Sequence, residues 1–118
     1  LVSNMAYADN KQIDKAYHIK QSDIQVQGVG KVIKVLKDDT KGSQHQRFLL
    51  KLPSNLTILI AHNIDLASRV EDLKAGDTIE FYGEYEWNNK GGVIHWTHHD
   101  PRKKHQDGWL KHNGVIYQ

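Results

Sequence analysis

The chain has no cysteine among its 118 residues, which excludes disulfide bonds, thiolate metal sites and catalytic thiols. No apolar run approaches the roughly 20 residues that a membrane-spanning helix needs, so we expect no membrane insertion. The formal net charge is only +2, too small to attract polyanions over a long range. Hydrophobic residues make up 38% and charged residues 25%, a balance typical of one globular domain.

The N-terminal part of the chain divides into two predicted segments. Residues 1–8 are predicted to be the remnant of a signal peptide or residues added to the natural chain, because Ala6-Tyr7-Ala8 has the small-x-small form of a signal-peptidase site. This pattern predicts a periplasmic or secreted protein, although a cytoplasmic protein also fits the sequence. Residues 9–23 are predicted to form an N-terminal helix, because apolar residues recur at helical spacing from Ile13 to Tyr17.

From residue 24 onward the pattern changes to the alternation of β-strands. The strongest alternation covers Ile79–Trp87, and a short helix is predicted at Leu66–Leu73 between the third and fourth strands. Three strands, a helix and then a hairpin predict an all-β fold with short helices. The specific prediction is an OB-like five-stranded Greek-key barrel over residues 24–100. Residues 101–118 are predicted to form a His/Trp-rich C-terminal extension packed on the barrel.

Four segments carry a resemblance to a known family: GSQHQRFLLKL, LIAHNIDLASRV, GEYEWNNKGGVIHWTHHDP and HQDGWLKHNGVIYQ. They resemble the sequences of a small bacterial family of short, exported proteins that is classed as a domain of unknown function. The resemblance covers nearly everything from Gly28 onward. It implies an OB-like fold and an exported location, and it transfers no activity and no functional residue to this chain.

Five of the eight histidines and two of the three tryptophans lie between Ile94 and His112. A divalent metal such as zinc is one ligand that this density of imidazole can bind. The candidate metal ligands are His95, His98, His99, Asp100, His105 and His112, with His45 or His62 available to complete a site. None of these spacings is a recognised metal signature. The alternative is that the histidines hydrogen-bond an irregular C-terminal loop to the barrel.

A second alternative is a metal-dependent phosphodiester hydrolase. Its candidate catalytic residues are His98, His99 and Asp100. A histidine would act as the general base, and Arg47 or Arg102 would stabilise a developing anion. Three glutamates of the predicted fourth strand share one face, where they either hold a hard cation or form the solvated face of an edge strand. These glutamates are Glu80, Glu84 and Glu86.

The favoured prediction is binding without catalysis. OB-folds bind oligonucleotides or oligosaccharides on strands two and three and on two adjoining loops, where basic side chains contact phosphates and exposed rings stack on bases. The candidate ligand-binding residues are Arg47, Lys51, Tyr82, Asn89, Lys90, Arg102 and Trp109. We therefore predict a small exported protein that binds single-stranded nucleic acid or an acidic envelope saccharide. A protein-interaction or envelope-stress adaptor module is the third alternative. Trp87 and Trp96 are predicted to belong to the core.

Overall fold

The computed structural model describes residues 4–118, with side chains described from Asn10 onward. Within this range one helix is followed by seven strands: α1 (Asn4–Ile19), β1 (Ile24–Val35), β2 (His45–Lys51), β3 (Thr57–Asn63), β4 (Thr78–Glu86), β5 (Val93–His95), β6 (Trp109–His112) and β7 (Val115–Tyr117). Residues 1–3, which belong to the predicted leader segment 1–8, lie outside the described residues. Over residues 4–118, no helix combines the length and the apolar character that crossing a membrane requires.

Strands β1 to β5 close into a barrel in the order β1-β2-β3-β5-β4, because β1 pairs with β2 and also with β4. The β3–β5 pairing is parallel and the others are antiparallel. Strand β1 reaches both neighbours because it is 12 residues long and carries a bulge between Val32 and Lys34. This order is that of the five-stranded Greek-key barrel, so the predicted OB-like fold is confirmed.

The core lies inside the barrel and is filled by the inward residues of the alternating strands. The largest of these are Phe48, Leu50, Ile58, Ile60, Ile79, Phe81, Tyr85 and Ile94, all fully buried. Helix α1 packs on β1, and its Ile13 and Ala16 join the same core. The side chain of Asn10 accepts a hydrogen bond from the N–H of Val29 at 3.0 Å and donates one to its carbonyl at 3.1 Å. Helix and barrel are thus joined by a matched pair of buried bonds.

Helix α1 ends earlier than the predicted range of 9–23 and includes residues before it. Its last helical residue is Ile19. Lys20 and Asp23 have φ angles of 58° and 61°, in the left-handed region that commonly terminates a helix. The chain therefore leaves the helix before the predicted end and enters β1 at Ile24.

The predicted helix at Leu66–Leu73 is wrong, since this segment folds as turns. Of the apolar residues that suggested it, Leu66 is exposed and Val70 is buried. The side-chain amide of Gln46 accepts a hydrogen bond from the N–H of Val70 at 2.9 Å and donates one to its carbonyl at 3.1 Å. The backbone N–H and carbonyl of Val70 thus bond a side chain of β2 and are not free to form the hydrogen bonds of a helix.

The C-terminal residues extend the sheet. Strands β6 and β7 form a hairpin through Asn113 and Gly114, whose φ angles of 50° and 80° suit a tight turn. Strand β6 pairs with the first half of β4, beside the short β5 that pairs with its second half. This arrangement carries the loop of residues 96–108 across the outer side of β4.

Candidate functional site

Two carboxylates and an imidazole meet on the outer surface of β4 and β5. Because Tyr85 points into the core, its neighbours Glu84 and Glu86 point outward, and the register places His95 opposite Glu84. The Nε2 atom of His95 lies 3.1 Å from Oε2 of Glu84 and 3.5 Å from Oε1 of Glu86. One donor atom from each of the three residues lies within 4.8 Å of the other two.

A second imidazole reaches this group from the loop that follows β5. The Nε2 atom of His105 lies 2.9 Å from Oε1 of Glu84, and its Nδ1 atom lies 2.8 Å from the carbonyl oxygen of Gln106. Since a carbonyl only accepts, Nδ1–H is the donor. The ring of His105 also stacks on Trp96, with centroids 3.9 Å apart and planes 7° from parallel. We call Glu84, Glu86, His95 and His105 the carboxylate–histidine cluster.

The members of the cluster titrate differently because their surroundings differ. Burial raises the pKa of Glu84, but hydrogen bonds from His105 and Glu86 outweigh it, and the pKa falls below its ordinary value. Burial lowers the pKa of His105, yet its bonds to Gln106 and Glu84 bring the pKa above the ordinary value. Of the two imidazoles beside Glu84, His105 is thus the one whose surroundings favour its charged form.

Glu86 and His95 shift toward their neutral forms. Burial, together with hydrogen bonds to Asp23 and Glu84, raises the pKa of Glu86 to about 7. Burial also lowers the pKa of His95, and the neighbouring charge of Glu84 offsets this only in part. Glu86 is thus a carboxyl group crowded by other carboxylates and without a full cation of its own.

The cluster owes its shape to a break in the strand. Strand β5 ends at His95 because Trp96 has a φ of 56°, a left-handed conformation rare for a bulky residue. The turn ends the alternation, because the consecutive residues Thr97 and His98 are both buried whereas Trp96 is half-buried. The prediction that Trp96 lies in the core is wrong. Trp87 does pack against the core.

A cavity of about 210 Å³ adjoins the cluster. It is lined by His45, Asn63, Leu66, His95, Trp96 and His98. The side chain of His98 is almost wholly buried, and its Nδ1–H donates to the carbonyl oxygen of His99 at 2.8 Å. Its Nε2 atom has no hydrogen-bond partner among the described residues. His45 likewise donates from Nδ1 to the carbonyl oxygen of Ser43 at 3.0 Å.

The structure brings only part of the predicted metal set together. His95 and His105 belong to the cluster, and His98 lines the adjoining cavity. His99 is exposed, and the carboxylate of Asp100 accepts the backbone N–H groups of Arg102, Lys104 and His105, so it builds a turn. The Nε2 atom of His112 lies 2.8 Å from Oδ2 of Asp77, outside the cluster. The period-two pattern of β4 did place Glu84 and Glu86 on one face, but their pairing with His95 depends on β5.

The predicted ligand-binding residues lie in three places. Arg47 and Lys51 point outward on β2, and Asn89 and Lys90 are exposed in the β4–β5 loop. Arg102 is exposed in the turn built by Asp100. Tyr82 and Trp109 are register partners on β4 and β6, with ring centroids 6.1 Å apart. These last two lie beyond the cluster and apart from the outer face of β2 and β3.

The closed five-stranded barrel defines the class of the molecule, a small OB-like barrel protein. The chain belongs to the family described as "Protein of unknown function (DUF3465)", whose sequence profile matches residues 1–118. This confirms the membership of a family of unknown function that the sequence motifs indicated. Comparison with curated proteins gives no match.

Proposed function

We propose that this protein is a small, exported, non-catalytic barrel that binds single-stranded nucleic acid on the outer face of β2 and β3. The observation that carries the proposal is a strip of outward cations around an apolar centre on that face. OB-folds use this face for extended ligands. A single strand offers both a negatively charged backbone and apolar base faces, and the strip provides partners for both.

The centre of the strip is apolar and its ends are basic. Leu49 and Leu59 are register partners, half-buried and on the outer side of the sheet. On β2, Arg47 and Lys51 flank Leu49 on the same face, about 13 Å apart by strand rise. Lys34 of β1 lies opposite Leu49 and adds a third cation to the strip. This alternation of charge and apolar surface suits an alternation of phosphate and base.

Two lysines stand directly opposite each other at one end of the strip. Lys31 and Lys51 are register partners, and both are exposed. Like charges in this arrangement destabilise a sheet, and a bound anion would relieve the repulsion. A groove of about 510 Å³ with mostly apolar walls, including Ile33 and Pro53, lies beside the pair. The pair and the groove together supply room for a base next to two phosphate contacts.

Fluorescence anisotropy of a labelled 12-nucleotide oligothymidylate, measured at several salt concentrations, tests the proposal. Each phosphate contact contributes about 0.7 to the slope of log affinity against log salt. We expect Arg47→Gln and Lys51→Gln each to lower that slope by about 0.7. Lys111→Gln is the matched control, because Lys111 is an exposed lysine on β6, where it lies opposite Glu80 of β4. No binding by the wild type, or equal slopes in all four proteins, would refute the proposal.

Two alternatives are separated by companion measurements. An acidic polysaccharide that competes with the oligonucleotide and binds more tightly would identify a saccharide as the ligand. The hydrolase alternative needs His98, His99 and Asp100 to act together, whereas the carboxylate of Asp100 is committed to backbone N–H groups and His99 is exposed. If the protein cleaves plasmid DNA and a chelator abolishes the cleavage, the hydrolase alternative is favoured. Fractionation of cells that express the gene from its own start tests the proposed export.

A further inference from the structure

We propose that Glu84, Glu86 and His95 form a zinc site, with one coordination position open toward the adjoining cavity. This inference is independent of nucleic-acid binding, since it concerns a different set of residues on β4 and β5. Two carboxylate oxygens and one imidazole nitrogen are donors that zinc accepts. Three protein ligands with an open fourth position are typical of zinc sites that bind a further molecule.

The spacing of the donor atoms suits a tetrahedral ion. With metal–ligand distances near 2.1 Å, adjacent ligands of a tetrahedral site are about 3.4 Å apart. The Nε2 atom of His95 lies 3.1 Å and 3.5 Å from the two glutamate oxygens. Two of the three donor separations are therefore close to the tetrahedral value, and the third is below 4.8 Å. The ion would replace the proton that otherwise lies between nitrogen and oxygen.

The surroundings of the three residues resemble the outer support of a metal site. His105 holds the second oxygen of Glu84, and the stacked ring of Trp96 fixes the plane of His105. Outer partners of this kind orient ligand carboxylates and are themselves held by further hydrogen bonds. His105 meets this description through its Nδ1–H bond to Gln106. It is a positioning residue for Glu84.

An independent observation comes from His98. Its side chain is 3% exposed and lines the same cavity as His95. The Nδ1–H bond to a backbone carbonyl leaves the lone pair on Nε2, the arrangement that metal-binding histidines commonly have. Because no bond to a described protein group occupies Nε2 and His98 lines the cavity, this nitrogen is available to a ligand in the cavity.

Titration of the 118-residue protein with zinc alone, without a polyhistidine tag, tests the inference by calorimetry and native mass spectrometry. We expect one zinc ion per chain in the wild type. Glu86→Gln and His95→Gln should weaken binding by more than 100-fold, since loss of an outer partner already costs about 10- to 100-fold. His105→Gln should fall within that smaller range. Thermal unfolding of each variant without metal shows whether the barrel is intact.

Two matched controls exclude adventitious binding. Glu80→Gln removes a glutamate from the same face of β4, and His99→Gln removes an exposed histidine from the same loop. Both should bind zinc like the wild type. The inference is overturned if the wild type takes up no zinc, if Glu86→Gln and His95→Gln bind normally, or if His99→Gln abolishes binding. Loss of nucleic-acid binding with zinc binding intact would count against the proposed function alone.

Discussion

The buried His62 should make this protein sensitive to mild acid. Its side chain is 0% exposed, and both ring nitrogens are bonded. Nε2–H donates to the carbonyl oxygen of Ser68 at 2.9 Å, so Nδ1 accepts from the hydroxyl of Thr97 at 2.7 Å. Burial lowers the pKa of His62 to about 4, and the nearby rings of His98 and His45 add to the effect. The folded protein therefore keeps this imidazole neutral.

The sign of the pH dependence follows from proton binding. Unfolding returns His62 to a pKa near 6.5, so between pH 6.5 and about 4 the unfolded chain binds more protons than the folded one. Stability from this residue is complete above pH 6.5 and is lost as the pH falls through that window. The difference in pKa corresponds to about 3 kcal/mol of unfolding free energy, a large share of a small domain's total.

Urea unfolding at several pH values measures this effect. We expect the wild type to lose about 3 kcal/mol more than His62→Gln on going from pH 7 to pH 4, because glutamine does not titrate. His99→Gln, which alters an exposed ring, should follow the wild type. Parallel losses in wild type and His62→Gln would refute the reasoning. So would an NMR titration that places the pKa of His62 near 6.5.

Two further predictions concern backbone contacts, and urea unfolding measures both. Asn10→Ala should cost about 3 kcal/mol, because it leaves the buried N–H and carbonyl of Val29 without partners; a cost below about 1 kcal/mol would contradict the role of that pair. Gly91→Ala should cost more than Gly42→Ala. Both glycines have positive φ, of 123° and 68°, but only at Gly91 would a Cβ overlap the carbonyl oxygen of Thr57. Equal costs would show that backbone strain alone accounts for the effect.

The barrel was predictable because three of its strands alternate strictly. In β2, β3 and β4 the inward positions carry the apolar core, so period two and the turns between strands give their number and order. Local sequence also marks Asn113-Gly114 as a turn, and a hairpin forms there. The pairing of β1 with β4, which closes the barrel, leaves no pattern in the local sequence. It could be predicted only from the known arrangement of five-stranded barrels.

The errors arose where tertiary contacts overrode a local pattern. Leu66 and Val70 do have helical spacing, but the side-chain amide of Gln46 hydrogen-bonds both the N–H and the carbonyl of Val70. Trp96 was likewise predicted to belong to the core, yet it turns the chain with a left-handed backbone. Neither the distant glutamine nor the reversed φ can be read from the residues around it.

The candidate site was only half visible in the sequence for a related reason. Proximity along the chain favoured His98, His99 and Asp100, three consecutive residues that the turn directs to different surroundings. Register instead unites His95 with glutamates that precede it by 9 and 11 residues. Period-two alternation identified the glutamates as neighbours of each other, but it gave no information on which strand would pair with them.

The hydrogen bonds of the ring nitrogens distinguish histidines with a structural role from histidines that remain able to bind a ligand. His62, His105 and His112 each bond protein groups through Nε2, and these contacts hold a turn, a loop and a strand to the barrel. The bonds of His105 and His112 agree with the alternative that C-terminal histidines hydrogen-bond the C-terminal residues to the barrel. His98 differs, because its one described bond leaves Nε2 directed to no protein group, and His95 differs because it faces two carboxylates. These two histidines, together with the glutamates that His95 faces, are therefore the first residues to test for ligand chemistry in this region.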